Sequence, residues 1–284
     1  MPIHRSIPGS APLVCGLLLV SAAAGAATLK DHFNQTVPLK PGAEVRLTNV
    51  NGSVTVDAWD RNEVQIEAEK EVKAGSDEAA RKLMGQIHID VAPGPAGLRI
   101  DTRIPKREEG GFLADLFNGG GVSVGVTYRL HVPRRVALDV MDANGGIQAA
   151  GTLGNARLHT SNGGIAVREV SGTLDLESQN GAIGVVRSAG SLKAVTTNGG
   201  ISAELLHLTP GDLHLETSNG GVTVNLPGDA RVSVDAETSN GGIHSDFTVS
   251  GGQPGKHSLR GDINGGGTKL FIRTSNGGVK IRKA

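Results

Sequence analysis

The sequence predicts an all-β fold: a single-chain parallel β-solenoid (β-helix) of about 18–24-residue coils, with one short N-terminal helix. Three observations carry this. First, Thr160-Ser161-Asn162-Gly163-Gly164-Ile165 recurs in near copies beginning at Ser178, Thr196, Thr217, Thr238 and Thr274. Earlier versions are Asn144-Gly145-Gly146-Ile147 and, more distantly, Asn51-Gly52-Ser53-Val54. Second, Asn144, Asn162, Asn180 and Asn198 are 18 residues apart; Asn219 and Asn240 each follow at 21, Asn264 at 24 and Asn276 at 12. Third, residues between these corners alternate with period two, as in Leu174-Asp175-Leu176-Glu177-Ser178, which is the strand signature.

Each unit holds two short strands, such as Gly164 to Val170 and Thr173 to Ser178, with a second turn at Ser171-Gly172 between them. The longer copies lengthen that turn to Pro210-Gly211-Asp212 or Pro227-Gly228-Asp229, where a solenoid accepts insertions. The Asn-Gly corners are expected to use positive φ, which Gly adopts freely and Asn tolerates. An antiparallel meander, with each Asn-Gly a hairpin turn, is the competing fold. Columns favour the solenoid. Stacked coils place Thr160, Ser178, Thr196, Thr217, Thr238 and Thr274 in one small hydroxyl column, and the corner asparagines in another, where identical amides form a ladder. The column Arg157, Asp175, Lys193 alternates in charge, as neighbouring rungs prefer. A meander gives one residue type no reason to persist in one column.

Along the chain, residues 1–26 read as a secretion signal. His4 and Arg5 precede the apolar run Pro12 to Val20, and Ala24-Gly25-Ala26 is a small-residue cleavage site. Cys15, the single cysteine, lies inside that run, so a processed chain carries no thiol chemistry. Residues 27–135 form an N-terminal β-rich part of the solenoid. Within it a helix is expected at about 76–87, with Ser76 as N-cap and Asp77 and Glu78 in the first turn. Trp59 is expected to pack over an end of the core. An inserted loop, 106–121, carries Phe112, Leu113, Leu116 and Phe117, a candidate partner contact or peripheral membrane lip. Residues 136–284 are the regular repeats. Lys280, Arg282 and Lys283 are expected to cap the last edge strand, since lysine-rich edges block strand addition.

Composition excludes several activities. Aromatics make up 2% of the 284 residues and Gly contributes 42, which suits a narrow solenoid interior better than a broad globular core. Formal net charge is zero, against the basic face that nucleic-acid binding needs. The Asn-Gly-Gly units open no helix and lack the Gly-Lys-Ser/Thr of a phosphate loop. They also lack the Asp of calcium-binding nonapeptides. The nine histidines form no metal-ligand spacing; His159, His214 and His244 read as surface residues. No cofactor and no catalytic residue is expected. The one acid–base candidate is Glu216 beside Glu237, adjacent carboxylates on neighbouring coils.

The Asn-Gly-Gly-Ile/Val repeats resemble the bacterial putative-adhesin family of unknown function and the related auto-transporter-like head domains. Asn51-Gly52-Ser53-Val54, Trp59-Asp60, Val64-Gln65-Ile66 and Tyr128-Arg129-Leu130-His131-Val132-Pro133 carry the same likeness. The resemblance implies an exported, non-enzymatic β-solenoid, an adhesin-like surface or periplasmic binding or scaffold protein. Its partner would be an envelope protein or a glycan. Some relatives are tied to envelope-stress signalling, which is the alternative role; a polysaccharide-active β-helix enzyme is the second alternative. The family offers no catalytic residues to carry over.

Overall fold

The computed structural model describes residues 19–21, 27–104, 121–208, 211–252 and 255–284. The expected signal, apart from the backbone of 19–21, and the segment holding Phe112, Leu113, Leu116 and Phe117 lie outside them. The described chain begins with β1 (Leu19–Ser21), β2 (Ala27–Pro38), β3 (Glu44–Asn51), β4 (Val54–Trp59) and β5 (Glu63–Ala74). Next come α1 (Asp77–Met84), β6 (His88–Gly94), β7 (Gly97–Arg103) and β8 (Ser123–Pro133). Six strand pairs follow: β9 (Ala137–Asn144) with β10 (Ile147–Ala150), β11 (Ala156–Asn162) with β12 (Ile165–Arg168), and β13 (Leu174–Asn180) with β14 (Ile183–Ala189); then β15 (Leu192–Asn198) with β16 (Ile201–His207), β17 (Leu213–Asn219) with β18 (Val222–Leu226), and β19 (Val232–Asn240) with β20 (Ile243–Ser245). β21 (Val249–Ser250) and β22 (Ser258–Ile263) lead to β23 (Thr268–Asn276) and β24 (Val279–Lys283).

These strands form two 12-stranded sheets, and each coil contributes one strand to each. The front sheet runs β1-β2-β5-β8-β4-β10-β12-β14-β16-β18-β24-β20; the back sheet runs β21-β22-β19-β23-β17-β15-β13-β11-β9-β3-β7-β6. Within the repeats the pairing is parallel and in register, so Asn144 lies beside Asn162, and Asn162 beside Asn180. Alternation sends every second side chain between the sheets. Leu158, Leu176, Ala194, Leu215, Ile272 and Ala236 stack as one buried column, and Ile147, Ile165, Ile183, Ile201, Val222 and Val279 as another. Burying each such side chain contributes about 1.5–3 kcal/mol relative to exposure, which is how a chain so poor in rings holds a core.

The rungs do not follow chain order at either end. The strand pair β3–β4 stacks directly on β9–β10, with Asn51 beside Asn144, although the chain between them builds everything from β5 to β8. That excursion extends the front sheet by antiparallel pairing of β5 with β8 and of β2 with β5. It also adds α1, which packs on β2 and β5 through Ala79, Ala80, Leu83 and Met84. The Oγ of Ser76 caps this helix, accepting from the Ala79 N–H at 3.2 Å. At the other end, β23–β24 slots between β17–β18 and β19–β20.

That insertion corrects three expectations. Lys280, Arg282 and Lys283 do not guard a sheet edge, because β24 is flanked by β18 and β20. Glu216 and Glu237 are not neighbours: Arg273 of β23 lies in register between them and pairs with Glu237 at 3.2 Å. Asn264 is no corner rung. It turns the chain from β22, antiparallel to β19, to β23, parallel to β19. This reversal uses left-handed backbone at Asn264 (φ 50°), Gly265 (φ 82°) and Gly266 (φ 76°), and Asn264 Nδ2 donates to the carbonyls of Gly228 and Ala230.

Gly52 shows the expected positive φ (118°), but at the corners of the regular repeats the reason for glycine is different. None of the ladder asparagines has positive φ, and neither do Gly163, Gly181, Gly199, Gly220, Gly241 and Gly277. Instead each of these glycines lies against the carbonyl oxygen of its counterpart one rung away, where a Cβ would collide with it. Close approach between coils, not handedness, excludes a side chain.

Candidate recognition face

Three surfaces are built by this stacking: the corner edge, the outer back sheet and the outer front sheet. Along the corner edge each Asn Nδ2 donates to the Oδ1 of the next rung. The distances are 2.8 Å for Asn144 to Asn51, 2.8 Å for Asn162 to Asn144, 2.9 Å for Asn180 to Asn162 and 2.8 Å for Asn198 to Asn180. The ladder continues at 2.9 Å from Asn219 to Asn198, 2.9 Å from Asn276 to Asn219 and 3.0 Å from Asn240 to Asn276. Inside it, the hydroxyls of Thr160, Ser178, Thr196, Thr217, Thr238 and Thr274 each donate to a glycine carbonyl of the adjacent rung at 2.8–2.9 Å. The amides bond to one another and the hydroxyls to backbone carbonyls, so the edge is a seam that sets the register.

The outer back sheet is a ladder of charges in mutual contact. Arg46 meets Asp139 at 2.8 Å, Asp175 meets Arg157 at 3.5 Å and Lys193 at 3.3 Å, and Arg260 meets Asp235 at 3.1 Å. His214 stacks on Phe271, centroids 4.7 Å apart, and Arg273 covers the same ring. His159, His214 and His244 lie on separate rungs, each near an acid: Asp175 at 3.8 Å, Glu216 at 3.2 Å and Asp246 at 3.2 Å respectively. Among the described residues no group of three or more His, Cys, Asp or Glu is placed to hold a metal ion.

The outer front sheet differs. Where the antiparallel strands β2, β5 and β8 join β4, they frame an open groove of about 580 Å³. Strand alternation aims His32 and Asn34 of β2, Glu67 and Glu69 of β5, Thr127 and Arg129 of β8, and Thr55 of β4 outward along it. The inward residues of the same strands, Val126, Tyr128 and Leu130, are buried. The Tyr128 hydroxyl lies 2.7 Å from Thr102 Oγ1, and burial pushes its pKa up to about 12, so it stays neutral beneath the groove. Glu67 accepts from Gln65 at 2.9 Å and Glu69 from Lys30 at 2.7 Å. Arg129 makes no ion pair among the described residues, and Glu67 lies in register beside it on β5.

Trp59 lies on the same outer face, contrary to the expectation that it covers a core end. It points outward from β4 because Val54 and Val56 take the inward positions. Its ring stacks on His131 at 5.3 Å, Arg61 lies over it at 4.7 Å, and its Nε1 donates to the Glu63 carbonyl at 2.8 Å. Those contacts occupy the indole and fix the turn into β5. Groove residues escaped the reading of the sequence because they come from four strands spread over a hundred residues of chain. The alternation in Tyr128-Arg129-Leu130-His131 was the one local signal that Arg129 and His131 share an outer face.

The described residues form two stacked, mostly parallel sheets whose outer back face is largely self-paired in charge. The family model described as Toastrack DUF4097 matches residues 137–282, and the chain belongs to that family. No curated protein matches the chain. Among solved structures, a putative adhesin from Bacteroides fragilis is 11% identical over 88% of this chain and 96% of that one, with a TM-score of 0.40. A putative cell adhesion protein from Clostridium sporogenes is 13% identical over 89% and 100%, with a TM-score of 0.33. A putative lipid binding protein from Parabacteroides distasonis is 9% identical over 88% and 96%, with a TM-score of 0.31. Likenesses of this size bear on neither ligand nor activity.

Proposed function

We propose that the protein is an exported, non-enzymatic β-solenoid that serves as an adhesin-like binding or scaffold protein of the cell envelope. It engages a glycan or an envelope protein through the outer front sheet. The observation that carries this reading is the solvent-open groove around Arg129, which combines a guanidinium with amide, hydroxyl and carboxylate groups on a rigid sheet. Such a mixture suits the hydroxyls and carbonyls of a polar polymer. Export rests on the basic, apolar and small-residue order of residues 1–26. The polysaccharide-cleaving alternative loses the carboxylate pair it relied on, since Arg273 separates Glu216 from Glu237. The envelope-signalling alternative rests on Phe112 and Phe117, which lie outside the described residues.

The test is capture of envelope proteins and glycans by the purified chain, comparing the parent with Arg129→Ala and Asn34→Ala. The reading expects binding weakened by about tenfold or more in Arg129→Ala, with the circular-dichroism spectrum unchanged. Undiminished capture by both variants would remove the groove from the function.

A further inference from the structure

The buried hydroxyl column contains one acid. On β9 the position held elsewhere by Thr or Ser is Asp142, in register with Thr160 on one side and Asn49 of β3 on the other. Asp142 is 5% exposed and Asn49 is 3% exposed. The hydroxyls of the column each bring a hydrogen to a carbonyl of the adjacent rung, whereas an ionised carboxylate brings none. Asp142 Oδ1 accepts from the Asn144 N–H at 3.2 Å, but Oδ2 is buried with no hydrogen-bond partner.

The adjacent rung supplies the acceptor. The carbonyl equivalent to those that the column's hydroxyls reach is that of Gly52, and a Cβ on Gly145 would meet both Gly52 O and Asp142 Oδ2. Asn49 Nδ2 donates to the carbonyls of Gly52 and Val126, both at 3.0 Å, which leaves the Gly52 oxygen a second lone pair. Leaving Asp142 Oδ2 unsatisfied costs about 1–3 kcal/mol, and burying an unpaired charge costs more.

We propose that Asp142 is protonated in the folded protein and that its Oδ2–H donates to the Gly52 carbonyl, as the hydroxyls of the column donate to theirs. The bond acts as an acid-stabilised lock between the N-terminal coil, β3–β4, and the regular stack. Among the described residues no charge opposes this. On β3, Glu44 and Arg46 alternate to the outer face; on β9, Asp139 does the same and is held by Arg46. On β11, Arg157 and His159 face outward with Asp175. On β8 the inward titratable group is Tyr128, which is neutral. Burial pushes the Asp142 carboxyl up, outweighing the hydrogen bonds from the Asn144 backbone, the Asn49 side chain and the Ala143 backbone, which pull it down.

The sign follows from linkage. A carboxyl whose folded pKa lies above its unfolded value stabilises the fold fully below the unfolded value, about 3.9 for aspartate, and loses that contribution as pH rises through the folded value. This is the reverse of a salt-bridged acid. The experiment is a titration of the Asp142 carboxyl in the intact chain by ¹³C chemical shift, together with denaturant midpoints against pH for the parent and for Asp142→Asn and Asp142→Thr. A carboxyl midpoint above the usual aspartate range is expected. The parent should lose stability relative to both variants as pH rises, since their donors do not titrate. A midpoint at or below about 3.9 overturns the proposal even if neither variant folds. So does a parent–variant difference that does not change with pH.

Discussion

At the residue scale, the corner Asn-Gly-Gly assigns a different constraint to each glycine. The first lies against a carbonyl of the adjacent rung: a Cβ on Gly163 would strike the Gly145 oxygen. The second has more room, since a Cβ on Gly164 would meet the Ala182 oxygen at 3.1 Å, and one on Gly146 the Gly164 oxygen at 3.4 Å. The natural sequence already places Ala182 at that second position. Gly163→Ala is therefore expected to destabilise by about 1–3 kcal/mol or more, by forcing rungs apart, while Gly164→Ala costs well under half as much. Chemical denaturation of the two variants measures the difference; equal costs would mean that neither glycine is held by stacking. The hydroxyl column was legible in the sequence as a recurring Thr or Ser two residues before each Asn. The acid in that column was not, because Asp142 reads as a polar residue before a turn until burial is known.

At the element scale, the decisive feature is the late insertion of β23–β24. β19 pairs with β23 on one side and β22 on the other, so removing β23 leaves β19 and β17 facing a vacant rung. Truncation before Thr268 is expected to strip hydrogen-exchange protection from β19, β20 and β22, while the strands from β9 to β16 keep theirs. Uniform loss throughout the chain would show that the repeats fold only as one unit. The charge on β24 was misread because a strand late in the sequence was taken for a strand late in the stack. The 24- and 12-residue gaps around Asn264 were the visible trace of that rearrangement.

At the scale of the whole molecule, the interior coils contact their neighbours through the same columns, so a coil is a removable unit. Deleting residues 163–180 joins Asn162 to Gly181 and sets the hydrophobic, hydroxyl and asparagine columns back in register. That shortened chain is expected to stay folded, with unchanged β content by circular dichroism and a lower melting temperature. A chain cut out of phase, removing nine residues, should not fold, because corners and columns no longer coincide. The periodic spacing, the alternation and the repeated Thr-x-Asn-Gly-Gly determined by themselves that strands stack in parallel with like residues over like, since these are local patterns that every rung repeats. Tertiary structure alone decided which rung lies beside which, how four distant strands frame a groove around Arg129, and that Asp142 is sealed against Asn49. A repeat offers the same edge at every rung, so identical partners cannot be ranked from sequence; only the long-range pairing of the two irregular ends selects among them.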